Sequence, residues 1–220
     1  VSLYNETKQS PIHPTPMVGC VGKLDNVGYA LGMAWQNEDD VFLIGDGRPV
    51  LGGSDYLATI HGRIAGLLPE IDFEMERNVQ QCVRKLAGLE LCHAAHDVSG
   101  GGLATALAEM AIAAGIGAVV EPLGQRDRLD AAWFGESGGR ILVTAPRQRR
   151  QKIADVVDEQ GVPLHVLGSV GGVDLALGSH GSIAVEDLRA ASEQALSLIA
   201  DHGRLEIDGP VALSHVSRWG

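Results

Sequence analysis

His96-Asp97-Val98-Ser99-Gly100-Gly101-Gly102-Leu103, continuing to apolar Leu107, Met110 and Ala114 and stopped by Gly115, reads as a loop that enters the N-terminus of a helix. A helix start leaves unpaired N–H groups and a partial positive charge, and glycine lets an anion approach that backbone closely. The same residues equally suit a tight packing turn before an alanine-rich helix, and their spacing is neither G-x-G-x-x-G nor a P-loop. The stretch therefore predicts a helix and leaves its chemistry open.

Outward from this point, strand and helix signals alternate. Upstream, Val41-Phe42-Leu43-Ile44 is a compact buried-strand signal ended by Gly45-Asp46-Gly47. Gly52-Gly53-Ser54-Asp55 precedes a capped helical stripe of Leu57, Ile60, His61 and Ile64. Asp72 caps a second helix with Met75, Val79, Cys82, Val83 and Leu86 on its apolar face and Gly88 where a left-handed residue is wanted. Downstream, Val119-Val120 predicts a strand, residues 127–134 a short helix, and Arg140 to Thr144 a strand after the turn Gly135 to Gly139. Pro146 opens a further helix with Ile153, Val156 and Val157 inward. Strands over 164–170, 173–177 and 182–184 form a small meander, and a last helix over about 186–200 buries Leu188 and Ala191. Residues 1–38, with Pro11, Pro14 and Pro16, read as loop, strand, turn, strand, with apolar runs around Val18 and Tyr29 to Met33. The polar patch Gln36 to Asp40 is the expected domain boundary.

Composition narrows the class. At 220 residues the chain is long enough for one full domain and part of another, and 45% hydrophobic with 20% charged residues is an ordinary globular balance. Few aromatics and 29 glycines favour helices packed on sheets, a mixed α and β domain. A net charge of −11 repels nucleic acid and anionic membranes, so neither is an expected partner. Cys20, Cys82 and Cys92 lack a CxxC pair, which argues against a disulfide framework or zinc ribbon and for a cytoplasmic setting. No apolar run reaches the roughly 18 residues of a membrane span.

Several residues carry candidate chemistry, each beside a plainer reading. His96 next to Asp97 suits a proton relay or a Mg²⁺ contact through the carboxylate, while Asp97 or Ser99 equally caps a turn. Cys92, His93 and His96 lack a fourth metal ligand at a standard spacing, so no metal site is assigned. Glu136 and Ser137, in a glycine-flanked turn before a strand, are placed to face a ligand or simply solvent. Val18-Gly19-Cys20-Val21-Gly22 is out of frame for the G-x-C-x-G elbow of a glutaminase, and Cys20 reads instead as a buried strand residue.

Val1-Ser2-Leu3-Tyr4-Asn5-Glu6-Thr7 and Pro14-Thr15-Pro16-Met17-Val18-Gly19 resemble the NVSLYNET and PTPVVG stretches of formylglycinamidine ribonucleotide synthases of the PurM-like superfamily. The resemblance continues at Leu51 to Leu57 (LGGSDYL), Ile71 to Glu76 (IDFEME), Ala95 to Leu103 (AHDVSGGGL) and Phe134 to Arg140 (FGESGGR), and so covers nearly the whole chain. Such proteins are built from paired A and B domains. The likeness implies that residues 1–38 are the last strands of a second A domain (PurM N-terminal-like). Residues 39–220 would be a second B domain (PurM C-terminal-like), an α+β fold with a mixed sheet flanked by helices.

The function implied by the resemblance is an ATP-dependent amido-ligase of purine biosynthesis. ATP and Mg²⁺ activate the formamide oxygen of formylglycinamide ribonucleotide as an iminophosphate, and ammonia from a glutaminase subunit or domain displaces phosphate. Ser2 matches the serine of a substrate-contacting GNVS motif. The metal-binding Asn, catalytic His and ATP-binding Lys of the family match no position here, so no catalytic residue is assigned and the isolated chain is expected to be inactive without the upstream domains. His96, Asp97, Ser99, Gly101, Gly102, Glu136 and Ser137 match a second-half pocket that is either auxiliary to nucleotide binding or structural. Gly100 replaces the family's usual Asp there, which removes one potential metal ligand.

Overall fold

The computed structural model describes residues 6–7, 10–11, 18–45, 48–123 and 128–202. They divide into two compact units, Val1–Ala30 and Leu31–Gly220. In the first unit, strands β1 (Glu6–Thr7) and β2 (Ser10–Pro11) pair antiparallel, and a 3-10 turn covers Val27–Tyr29, where Asn26 accepts the Gly28 N–H at 2.8 Å. The strands expected around Val18 and Tyr29 to Met33 do not form. That stretch is exposed, carries Gly19, Gly22, Gly28 and Gly32, and finds no strand partner among the described residues. Cys20 is accordingly exposed rather than buried in a strand.

The second unit is built on a seven-stranded sheet of β3 (Asp39–Ile44), β4 (Ala94–Asp97), β5 (Ala118–Val120), β6 (Ile141–Pro146), β7 (Leu164–Val170), β8 (Asp174–Leu177) and β9 (Ser182–Ala184). Their spatial order is β4-β6-β3-β7-β5-β8-β9, antiparallel throughout except for β5 beside β8. The helices are α1 (Asp55–His61), α2 (Phe73–Gly88), α3 (Gly102–Ala114), α4 (Leu129–Phe134), α5 (Arg150–Glu159) and α6 (Val185–His202). This is the expected α+β mixed sheet flanked by helices.

β3 explains why the helices fall on both faces. All six of its residues are buried, so its side chains need cover above and below. Phe42 and Ile44 join Val143 and Ala145 of β6 under Val79, Cys82 and Leu86 of α2 and Ile153 and Val157 of α5. On the opposite face, Val41, Leu43 and Leu142 meet Leu103, Leu107 and Met110 of α3, Trp133 of α4 and Trp35 from the segment before β3. Trp35 also donates its indole N–H to the Ile116 carbonyl at 2.9 Å.

Asp39 and Asp40, which the polar composition places at a boundary, are buried residues of β3 itself. Hydrogen bonds to Asp39 and an ion pair at Asp40 make this tolerable. Asp39 accepts from His93 Nδ1 (3.0 Å to each oxygen) and Thr144 Oγ1 (3.1 Å), while Asp40 accepts from Arg150 at 2.7 and 3.0 Å.

Other local expectations shift for physical reasons. His96 and Asp97 lie in β4 rather than in a loop, because Ala94 to Asp97 pair with Thr144 to Ile141. Gly88 ends α2 within the helix, and the left-handed residue is Glu90, with φ 54°. α1 stops at Gly62, so Ile60 and Ile64 stay exposed instead of continuing a buried stripe. Pro146 closes β6, a 3-10 turn follows at Arg147–Arg149, and α5 begins only at Arg150. Ala191 of α6 is exposed.

Burial raises the Cys82 thiol to about 11, with Lys85 pulling slightly the other way, and the Cys92 thiol to about 12. The native state thus keeps protons on both groups that the unfolded chain loses from about pH 8.5 upward. The stability they lend is full below that pH and falls as pH rises toward 11 to 12. In the native protein at pH 8, a thiol reagent should label Cys20 quickly and Cys82 and Cys92 only after urea unfolding. Equal labelling of all three in the native protein would contradict the packing of α2 on the sheet.

Candidate functional site

At one end of the sheet, where β4 finishes and β6 begins, a cavity of about 620 Å³ opens, a size common for small-molecule sites. Its walls come from the Gly52-Gly53 turn, the strap carrying Leu68, Pro69 and Ile71, the α2 face with Glu76, Val79 and Gln80, the loop Asp97 to Gly100, and the turn Glu136 to Arg140. The sequence explains each wall. Ser54 caps α1 by accepting the Leu57 N–H (3.3 Å) and donating to the Leu51 carbonyl (2.6 Å), which folds the Gly52-Gly53 turn. Gly53 then donates to the Ala65 carbonyl at 2.9 Å and fastens the strap. A side chain at Gly52 would collide with the Leu67 backbone, so glycine is required where turn and strap touch.

Glu136 joins these parts. Its Oε1 accepts the Asp55 N–H at 2.8 Å, at the start of α1, and the Gly101 N–H at 2.9 Å, at the start of α3. Its backbone pairs with Val50 through bonds of 2.8 and 3.2 Å. A carboxylate from within the chain thus takes an amide that the glycine triplet would otherwise offer to a bound anion.

Arg140 supplies the opposite charge. It is only 4% exposed, donates from Nη2 to the Gly135 carbonyl at 2.7 Å, and has no partner for its buried Nε. Burial lowers its pKa to about 10, with Glu136 opposing, so it remains cationic at neutral pH. The lining is therefore a buried cation between the carboxylates Glu76, Asp97 and Glu136, with an apolar wall of Leu68, Ile71, Val79 and Ile141.

Of the residues singled out from sequence, Asp97, Ser99, Glu136 and Ser137 line this cavity together. Gly101 lies behind it, its N–H held by Glu136 and its carbonyl accepting from Thr105 Oγ1 at 3.0 Å. Gly102 has φ 70°, and a Cβ there would meet the backbone of Phe134 and Gly135 at 2.7 to 2.9 Å, so it serves helix packing. His96 is not among the lining residues: its ring sits between Asp97 (3.2 Å) and Glu109 of α3 (2.8 Å). Ser2 lies outside the described residues. Sequence reading passed over Glu76, the strap and Arg140. For Arg140 a signal existed, a charged residue at the head of an otherwise apolar buried strand.

Comparison with known proteins agrees with this architecture. Residues 36–177 match the family described as AIR synthase related protein, C-terminal domain. Among curated relatives, the phosphoribosylformylglycinamidine synthase subunit PurL of Moorella thermoacetica is 44% identical over 182 residues, covering 82% of this chain and 25% of that protein. That of Thermomicrobium roseum is 43% identical over 181 residues, covering 81% and 25%. The chain thus spans about a quarter of the length of these relatives. Among solved structures, Thermotoga maritima PurL complexed with FGAR superposes with a TM-score of 0.59 at 17% identity, over 72% of this chain and 29% of that one, a likeness of fold. With its core, its sheet and its cavity-forming turns inside the matched span or beside it, this chain belongs to the AIR synthase related protein C-terminal domain family.

Proposed function

We propose that this chain is the second B-type domain, residues 39–220, of a PurL-type phosphoribosylformylglycinamidine synthase, with residues 1–38 a remnant of the adjoining A-type domain. In this reading the whole enzyme converts formylglycinamide ribonucleotide, ATP and glutamine-derived ammonia to formylglycinamidine ribonucleotide, ADP and phosphate, working with a glutaminase subunit or domain in the cytoplasm. Identities of 43 to 44% over four-fifths of the chain support it. So do the solved structures of Thermotoga maritima PurL in complex with FGAR, ADP and ATP. Ser2 would contact substrate in the assembled enzyme.

Within that enzyme, the cavity at Asp97 to Gly100 and Glu136 to Arg140 is an auxiliary nucleotide pocket. The observation that carries this is Arg140, a buried cation with an unpartnered Nε at a cavity of fitting size. A bound nucleotide would bring phosphate oxygens for Arg140 and Ser99 and a base for the Leu68, Ile71 and Val79 wall, while Asp97 and Glu76 suit ribose hydroxyls. Among the described residues no cluster of three or more metal-ligating side chains forms, so Mg²⁺ would enter with the phosphates rather than reside in a protein cage. In the bound state the chain's own residues orient and shield; His96, held by two carboxylates, stabilises β4 against α3. The rival reading, a purely structural pocket, draws on Glu136, whose carboxylate already serves the Gly101 amide.

Two experiments test these readings. The purified chain, given formylglycinamide ribonucleotide, ATP, Mg²⁺ and ammonia, should release no phosphate; turnover would overturn the assignment of catalysis to the remaining domains. Calorimetric titration with ADP and Mg²⁺ should give saturable binding that Gln80→Trp, a filler at the cavity wall, weakens at least tenfold. Silence, or binding indifferent to the filler, would leave the structural reading.

A further inference from the structure

The strap that walls the cavity turns an apolar side outward. Ile60, Ile64, Leu67, Leu68, Ile71 and Phe73, from the last turn of α1 to the first turn of α2, are each more than half exposed, Ile64 and Leu67 at 88 and 89%. The backbone beneath them is anchored. Arg63 donates to the Leu57 carbonyl at 3.0 Å, Gly53 donates to the Ala65 carbonyl at 2.9 Å, and a Cβ on Gly66 would meet the Gly52 Cα at 2.7 Å. These contacts fix the strap on the glycine turn and leave its apolar side chains in water, where a contiguous patch of this kind marks a contact surface.

A small ligand in the cavity does not cover this surface. Leu68 and Ile71 border the cavity, whereas Ile60, Ile64, Leu67 and Phe73 are not among its lining residues. Charge narrows what does. From Asp55 to Arg77 the chain carries the carboxylates Asp55, Glu70, Asp72, Glu74 and Glu76 against the guanidinium groups of Arg63 and Arg77, and all but Glu76 are exposed. A second copy of this chain would bring the same acidic rim, and an anionic bilayer the same sign, so both are opposed. A protein surface with an apolar centre and a rim of lysine and arginine is complementary. The relatives point to its source: the chain spans about a quarter of their length, which leaves the rest of such a polypeptide beside each copy of this unit.

We propose that residues 60–73 are the docking surface for another domain of the same polypeptide, an inference that rests on the reading of this chain as part of a PurL-type synthase. Ile64 and Leu67, the most exposed of the six, form the centre of the contact, and Glu70, Asp72 and Glu74 meet basic groups at its rim. Tethering holds the partner at high effective concentration, so a patch of this size suffices without a separate recognition site. The outer side of the strap takes the domain, while its inner edge, through Leu68 and Ile71, faces the cavity.

The test compares amide hydrogen exchange of this chain alone with that of the full-length synthase containing it. Amides of residues 64–68 should exchange at least tenfold more slowly in the full-length protein, while those of β3 exchange alike in both. Ile64→Asp, Leu67→Asp and Glu70→Lys, all at exposed positions, should each return the strap to fast exchange in the full-length protein and leave β3 unchanged, which shows that the fold is intact. The chain alone should sediment as a monomer. Equal strap exchange in the two proteins, protection that survives all three substitutions, or a dimer of the chain alone with its strap protected would overturn the proposal. Synthase turnover of the full-length protein is read separately: turnover without strap protection overturns the docking and keeps the enzyme assignment, and protection without turnover does the reverse.

Discussion

One carboxylate oxygen organises the better-formed site of this protein. Glu136 Oε1 receives amides from the starts of two helices, α1 and α3, that are 46 residues apart in sequence at Asp55 and Gly101. Hydrogen bonds to a charged acceptor are worth about 1.5 to 3 kcal/mol each. Here they also set the distance between the Gly52-Gly53 turn, the glycine triplet and the Gly135 to Gly139 turn, three of the cavity's walls. Arg140, four residues on, is buried, held through the Gly135 carbonyl with its Nε unsatisfied, and Glu136 supports its positive charge.

The central strand plays the corresponding role for the fold. β3 is enclosed on both faces and both edges, and its first two residues are aspartates: Asp39 is hydrogen-bonded by His93 and Thr144, and Asp40 is paired with Arg147 and Arg150. The hydrophobic part of the strand drives burial, and the aspartates fix which elements meet at its start.

Much of this was legible beforehand, and the exceptions have physical causes. Val41 to Ile44, the Asp72 cap of α2 and the strands over 164–170 and 182–184 are legible from apolar runs and turn residues, although the last of them is largely exposed and β5 rather than β8 lies beside β7. The partners of Asp39 and Asp40 lie 54 to 110 residues away, so their burial inside β3 is beyond any local pattern. β4 was missed since Ala-Ala-His-Asp has weak strand propensity and owes its form to pairing with β6. In the site, Glu136 was noticed for its glycine-flanked setting, but its two amide partners and the burial of Arg140 are tertiary facts. Family likeness brought Glu136 and Asp97 together on paper; only the fold separates His96 and Gly102 from the cavity they adjoin.

Amide hydrogen exchange on Glu136→Ala tests the organising role of this side chain most directly. The account predicts that Asp55 and Gly101 are protected in the wild type and lose that protection together in the variant, while Val41 to Ile44 of β3 exchange as slowly as before. Protection at Asp55 and Gly101 that survives the substitution, or is absent in the wild type, would contradict it.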